Sequence, residues 1–145
     1  MTADSKRLTD RASFTLWSHD TLRYADTDRQ GHVNNAKFAT FLETGRVAFL
    51  YDPAAPLAPP GCEFVLARVA IDFLAELRWP GVVDIGSVIR VIGRSSLTIG
   101  QAVFVGPDCI ASSESVVVLT DAATRRSTPM PEALRVRLAA LAAPG

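Results

Sequence analysis

The chain has 145 residues, enough for one domain with a core of its own. Hydrophobic residues make up 48% and charged residues 21%, the ordinary range of a globular protein, and 15 Lys plus Arg balance 15 Asp plus Glu. That balance argues against a nucleic-acid binder, and an anionic ligand would need a local basic patch. Cys62 and Cys109 are too few for a disulfide framework and match no zinc spacing, so each reads as a small apolar residue. Residues Met1 to Arg11 are polar, without the apolar stretch of a signal peptide, and no apolar run reaches membrane-spanning length. The expected location is the cytoplasm, with no membrane partner.

Residues 1–13 read as a flexible polar leader, and 14–145 as a single domain. Phe14, Leu16, Leu22 and Tyr24 sit among polar residues at mostly even spacing, which predicts a strand with an irregularity near Ser18 to Asp20. A turn-rich stretch from Asp26 to His32 follows. Asn34 or Asn35 is a good N-cap, and Phe38, Phe41, Leu42, Gly45, Ala48 and Phe49 then repeat at helical spacing until Asp52-Pro53. Ala36, Ala39, Val47 and Leu50 widen the apolar face, so the helix should be largely wrapped by other structure. Glu43 and Arg46 read as a pair on its polar side. Residues 52–61, rich in Pro, Ala and Gly, form a loop.

The second half carries strand signals only. Val65 to Leu77 alternate with Arg68, Asp72, Glu76 and Arg78 as one long half-buried strand, ended by Trp79-Pro80-Gly81. Ile85 to Gly93, Leu97 to Val105 and Cys109 to Leu119 follow, joined by hairpins at Arg94-Ser95-Ser96 and Gly106-Pro107-Asp108. Asp121 to Arg126 is a polar turn, and Pro131 to Ala142 a short terminal helix. One long helix against one antiparallel sheet is an α+β layer architecture.

The segment from Tyr24 to Asn35 is the most informative. Two carboxylates and a histidine crowd a helix N-terminus, where free N–H groups and positive potential meet. Capping alone explains part of it: Asn34 and Asn35 cap, and acidic residues favour that end. A calcium loop fits at Asp26, Asp28 and Gly31 but fails at Gln30 and Lys37. A metal site from Asp26, Asp28 and His32 lacks a second histidine cluster, since His19 is the only other histidine.

The string Asp28-Arg29-Gln30-Gly31-His32-Val33-Asn34-Asn35, with Tyr24 before it and Glu43 and Arg46 after it, resembles the signature of the hotdog-fold thioesterases. Its nearest branch is the 4-hydroxybenzoyl-CoA thioesterase-like one. Ala67 to Glu76, Gly93 to Ser96 and Val116 to Asp121 extend the likeness, which runs from Phe14 to Pro131. The resemblance implies a hotdog fold, with an antiparallel sheet of about five strands around one central helix. It implies hydrolysis of an acyl-CoA or acyl-ACP thioester, no cofactor and no metal, in a homodimer or homotetramer with sites at the subunit interface. By motif position the catalytic carboxylate falls on Asp28, as base or nucleophile, and the oxyanion donor on the amide of Asn35. His32 orients water or substrate, or bonds the loop backbone; Asp26 holds the turn. Tyr24, Gly31, Val33 and Asn34 fall beside the substrate, and Arg94, Ser95 and Ser96 where related enzymes approach the CoA phosphates. Glu43 and Arg46 read as structural, with a pocket role as the alternative. The competing function is a non-catalytic hotdog domain that binds acyl thioesters or serves in assembly; a dehydratase would need a His-bearing motif that is not evident.

Overall fold

The computed structural model describes residues 8–142. The elements are β1 (Leu16–Thr21), α1 (Asn35–Leu50), β2 (Cys62–Phe73), β3 (Val82–Ile92), β4 (Ser96–Val105), β5 (Asp108–Asp121) and α2 (Glu132–Ala142). The five strands form one antiparallel sheet in the order β1-β3-β4-β5-β2. Helix α1 lies on one face, buries Phe38, Phe41, Leu42 and Leu50 there, and forms with the sheet the hotdog arrangement expected of it.

Gly45 sets how closely helix and sheet approach. A Cβ at that position would stand 2.6 Å from Ile85 Cγ2 and 2.7 Å from Gln101 Nε2. Only a glycine lets α1 sit this deep. The neighbouring Arg46 is also inside, 6% exposed, contrary to its expected place on a polar face. Its Nη1 donates to Gln101 Oε1 at 3.2 Å, while Gln101 Nε2 donates to Leu42 O at 2.9 Å and Ser87 Oγ at 3.0 Å. Burial lowers the pKa of Arg46, and the charge of Glu43 partly restores it. Glu43 itself is exposed and makes no ion pair with Arg46 among the described residues. Ala36, Ala39 and Val47 are exposed in a single protomer, so the wrapping of α1 is less complete than its composition implies.

Three strand expectations change. β1 runs in regular register with β3 from Leu16 to Thr21, without an irregularity, and Tyr24 to Asp26 form a 3-10 turn instead of more strand. β2 carries a bulge between Leu66 and Arg68, which shifts the alternation, so Val65 and Val69 face opposite sides. β2 also ends at Phe73: the amides of Leu74 and Ala75 both turn to Ile110 O, at 2.9 and 3.2 Å, and the chain bends. As an edge strand, β2 leaves most of its residues exposed instead of half-buried.

The expected leader is folded from Leu8 onward. Leu8 and Phe14 pack against the sheet face opposite α1, and Arg11 lies over the Trp17 ring and bonds Asp84. Residues 1–7 of that leader lie outside the described residues.

Candidate active site

The site grows from a local turn. Asp28 Oδ1 accepts from the amides of Gln30, at 2.8 Å, and His32, at 3.2 Å. The main chain closes the same loop, with Asp28 N donating to His32 O at 2.7 Å and Gly31 N to Asp28 O at 3.0 Å. Gly31 adopts a φ of +83°, open to glycine at little cost, and this permits the reversal. One carboxylate oxygen is therefore anchored; among the described residues Oδ2 accepts no hydrogen bond.

The loop runs straight into α1. Asn34 is the N-cap: its side chain accepts from Ala36 N at 3.0 Å, and its carbonyl accepts from Lys37 N at 2.9 Å. Asn34 N itself donates to Asp26 O at 2.8 Å. The next amide, Asn35 N–H, donates to no acceptor among the described residues. A helix N-terminus with one unpaired N–H is a donor for developing negative charge.

Asp28, His32, Val33 and Asn35 line one open cavity of about 380 Å³. Its other walls are Phe38 of α1 and the 73–77 segment, including Phe73, Glu76 and Leu77. The bend after β2 brings this segment in. Leu77 O accepts from Val33 N at 2.7 Å, and His32 pairs with Arg78 in a single β-bridge. The Glu76 and Arg78 side chains then reach His32, with Arg78 Nη2 at 2.8 Å and Glu76 Oε2 at 3.2 Å from its Nε2. Motif reading missed Phe38, Phe73 and Glu76 as cavity residues, because their membership depends on a bend that strand alternation does not signal.

Other expected residues go elsewhere. Tyr24 is 74% exposed, outside the cavity, with its ring on Trp79 at 5.4 Å. Gly31 and Asn34 shape the loop and helix start without lining the cavity. Asp26 is 1% exposed, and its carboxylate turns to Arg23, whose amide donates at 2.9 Å and whose Nη2 donates at 3.1 Å. Burial alone would raise the pKa of Asp26, but the bonds and charge of Arg23, with Lys37 behind, hold it below the usual value. This places Asp26 in the turn and away from any joint metal site with Asp28. Among the described residues no group of three or more His, Cys, Asp or Glu is placed to hold a metal ion.

Arg94, Ser95 and Ser96 are at the opposite end of the sheet. The Asp28 loop faces the segment that leads into the first residues of β3, whereas Arg94 follows its last. An 11-residue strand separates them by on the order of 30 Å. Arg94 O and Ser95 O accept from Met130 N and Leu119 N, within the α2 end of the fold. Within one protomer these residues do not join the Asp28 cavity.

The sequence matches the thioesterase-like superfamily over residues 22–138. This chain belongs to that family. No curated protein matches it. Among solved structures it is similar to a thioesterase from Thermus thermophilus, complexed with coenzyme A and zinc, at 31% identity and TM-score 0.78, covering 89% of this chain and 95% of that one. A predicted thioesterase from Bacillus stearothermophilus matches at 28% identity and TM-score 0.79, covering 88% and 96%. The PA5185 protein of Pseudomonas aeruginosa, at 24% identity, shares the fold with TM-score 0.82 over 94% and 96%. Family and neighbours agree on thioester hydrolysis as the general chemistry of this family. No helix among the described residues is long and apolar enough to cross a membrane.

Proposed function

We propose that this chain hydrolyses an acyl thioester, with the acyl group on CoA or on an acyl carrier protein, and releases a carboxylic acid and a free thiol. One observation carries the reading: Asp28, whose Oδ1 is anchored and whose Oδ2 is free, and Asn35, whose N–H is unpaired, both line one open cavity. Attack on a thioester carbonyl puts negative charge on its oxygen. The Asn35 N–H is preorganised to receive that charge, and Asp28 Oδ2 is placed either to attack the carbonyl carbon or to take a proton from attacking water. His32 adds a polar side chain to the same cavity. A CoA carrier is favoured by the Thermus thermophilus neighbour, which was crystallised with coenzyme A.

A homodimer or larger assembly completes the reading. β2 is a 12-residue edge strand with Val65, Leu66, Val69 and Phe73 exposed, followed by the exposed Leu74. Such an edge invites cover, and Phe73 and Leu74 are also cavity residues. A second copy seated on β2 would border the cavity, and from that copy Arg94, Ser95 or Ser96 would be available to the CoA phosphates, which the pantetheine arm holds away from the thioester.

Thiol release from a panel of acyl-CoA and acyl-ACP substrates tests the proposal, with Asp28→Asn beside the wild type. The Asn side chain keeps an oxygen to accept from Gln30 and His32, so the loop is retained while the nucleophile or base is lost. Release by the wild type and not by the variant is expected. No release from any acyl thioester would leave the binding-module reading in its place, and equal release by both would keep the hydrolysis and remove Asp28 from it.

A further inference from the structure

The hydrolytic scheme uses neither Glu76 nor Arg78, yet both converge on one nitrogen of the cavity histidine. His32 Nε2 lies 2.8 Å from Arg78 Nη2 and 3.2 Å from Glu76 Oε2, and that Nη2 stands 3.8 Å from the same carboxylate oxygen. An imidazole nitrogen carries either a hydrogen or a lone pair in the ring plane, never both. A guanidinium can only donate and a carboxylate can only accept. Both neighbours therefore cannot be satisfied together. A bare Nε2 accepts from Arg78 and turns a lone pair toward Glu76. A protonated Nε2 donates to Glu76 and faces Arg78 hydrogen to hydrogen.

The geometry points to Glu76 and Arg78 as positioning residues that select between two forms of His32: Nε2 bare and bonded to Arg78, or Nε2 bearing hydrogen and bonded to Glu76. The main chain does not need to move between them, because the His32–Arg78 bridge and the Val33 N–H to Leu77 O bond hold both strands of the pair. The side chains can adjust, since those of Glu76 and Arg78 are 68% and 62% exposed and that of His32 only 21%. The charged groups around the ring are Asp28 on its own loop and Glu76 and Arg78 on the facing segment; α1 adds only Asn35 and Phe38 to the cavity wall.

The consequence for turnover rests on the hydrolytic reading above. His32 lines the cavity with Asp28. A neutral ring with a bare Nε2 carries its hydrogen on Nδ1, and one with hydrogen on Nε2 leaves Nδ1 as an acceptor, so the choice made at Nε2 sets what the other ring nitrogen offers. Glu76 favours the form with hydrogen on Nε2 and Arg78 the bare form, so removing each moves the ring in the opposite direction.

The test is long-range proton–nitrogen NMR of the histidine rings in wild type, Glu76→Gln and Arg78→Met under one buffer condition, with kcat/KM measured on the same proteins. The chain has 2 histidines, so His19→Gln assigns the spectrum. Glu76→Gln should shift His32 toward a bare Nε2 and Arg78→Met toward an Nε2 that bears hydrogen, each by a modest share, as expected for partly exposed partners. The two variants should move kcat/KM in opposite directions. A shared direction, or an unchanged Nε2 signal in both variants, overturns the inference. If no acyl thioester is cleaved but the NMR signals differ as described, the histidine inference stands and the hydrolytic reading falls.

Discussion

The two ends of α1 carry the same local motif and opposite surroundings. At the N-terminal end, Asp28 Oδ1 accepts from the amide two residues on, Gln30 at 2.8 Å, and its carbonyl from Gly31. At the C-terminal end, Asp52 Oδ1 accepts from Ala54 N at 2.9 Å and its carbonyl from Ala55 N. Each aspartate also lines a cavity, and the one beside Asp52, about 470 Å³, is larger than the 380 Å³ at Asp28. In the larger cavity the cation is engaged: Arg137 donates to the carbonyls of Pro56 and Ala55 and so holds the loop. The smaller keeps an unpaired N–H at the positive end of the helix, and Asp52 sits at the negative end. The proposed reaction at the Asp28 end therefore rests on helix polarity and an unengaged donor, not on cavity volume.

The largest expected effect separates the two aspartates. Asp28→Asn should lower kcat by about a thousandfold, or about 4 kcal/mol of barrier, if the carboxylate attacks directly. Asp52→Asn in the same assay should stay within about twofold, since it only holds a loop turn. Comparable losses in both would end the distinction between the ends.

The donor can be removed without disturbing the helix. Asn35 is the first helical residue, where proline is favoured, and Asn34 has the extended φ and ψ of −60° and 134° that a residue before proline prefers. Asn35→Pro should keep the thermal midpoint and lower kcat by about a hundredfold to a thousandfold, the usual cost of one oxyanion donor. Unchanged kcat would remove the amide from the mechanism.

A third change tests the middle of the helix, between the two ends. Gly45→Ala gains helix propensity but forces a methyl against Ile85 and Gln101. Overpacking should prevail by about 1–3 kcal/mol, read as a lower urea midpoint. A variant as stable as the wild type would mean that α1 can lift from the sheet without penalty.

The smallest effect concerns acid stability at the Asp28 end. Asp26 has a lowered folded pKa, so its contribution to stability is present above the unfolded value of about 3.9 and is lost as the pH falls through the folded value. Urea midpoints for the wild type should drop between pH 5 and pH 2 more steeply than those of Asp26→Asn. Parallel curves would place the acid sensitivity elsewhere.

Local chemistry was legible because its signals are local. The Asn34 cap, the Asp28 turn with Gly31, the start and stop of α1 and the β3–β4 and β4–β5 hairpins all depend on residues within a few positions of each other, whereas the place of β2 beside β5 and not beside β3, as a four-strand meander would have it, does not. The family likeness rested on the same contiguous string and holds over residues 22–138. Tertiary structure decided what the string could not contain. Ile110, near the start of β5, draws off two amides after Phe73, bends the chain and carries Glu76 and Arg78 to His32. Arg46 looks like a surface charge by periodicity, but the glycine beside it lets α1 sink onto Gln101 and takes the guanidinium inside. Arg94 has the chemistry of a phosphate ligand, but the length of β3 puts it at the far end of its own protomer. Bends, packing depth and strand length act between residues far apart in sequence, and no local pattern encodes them.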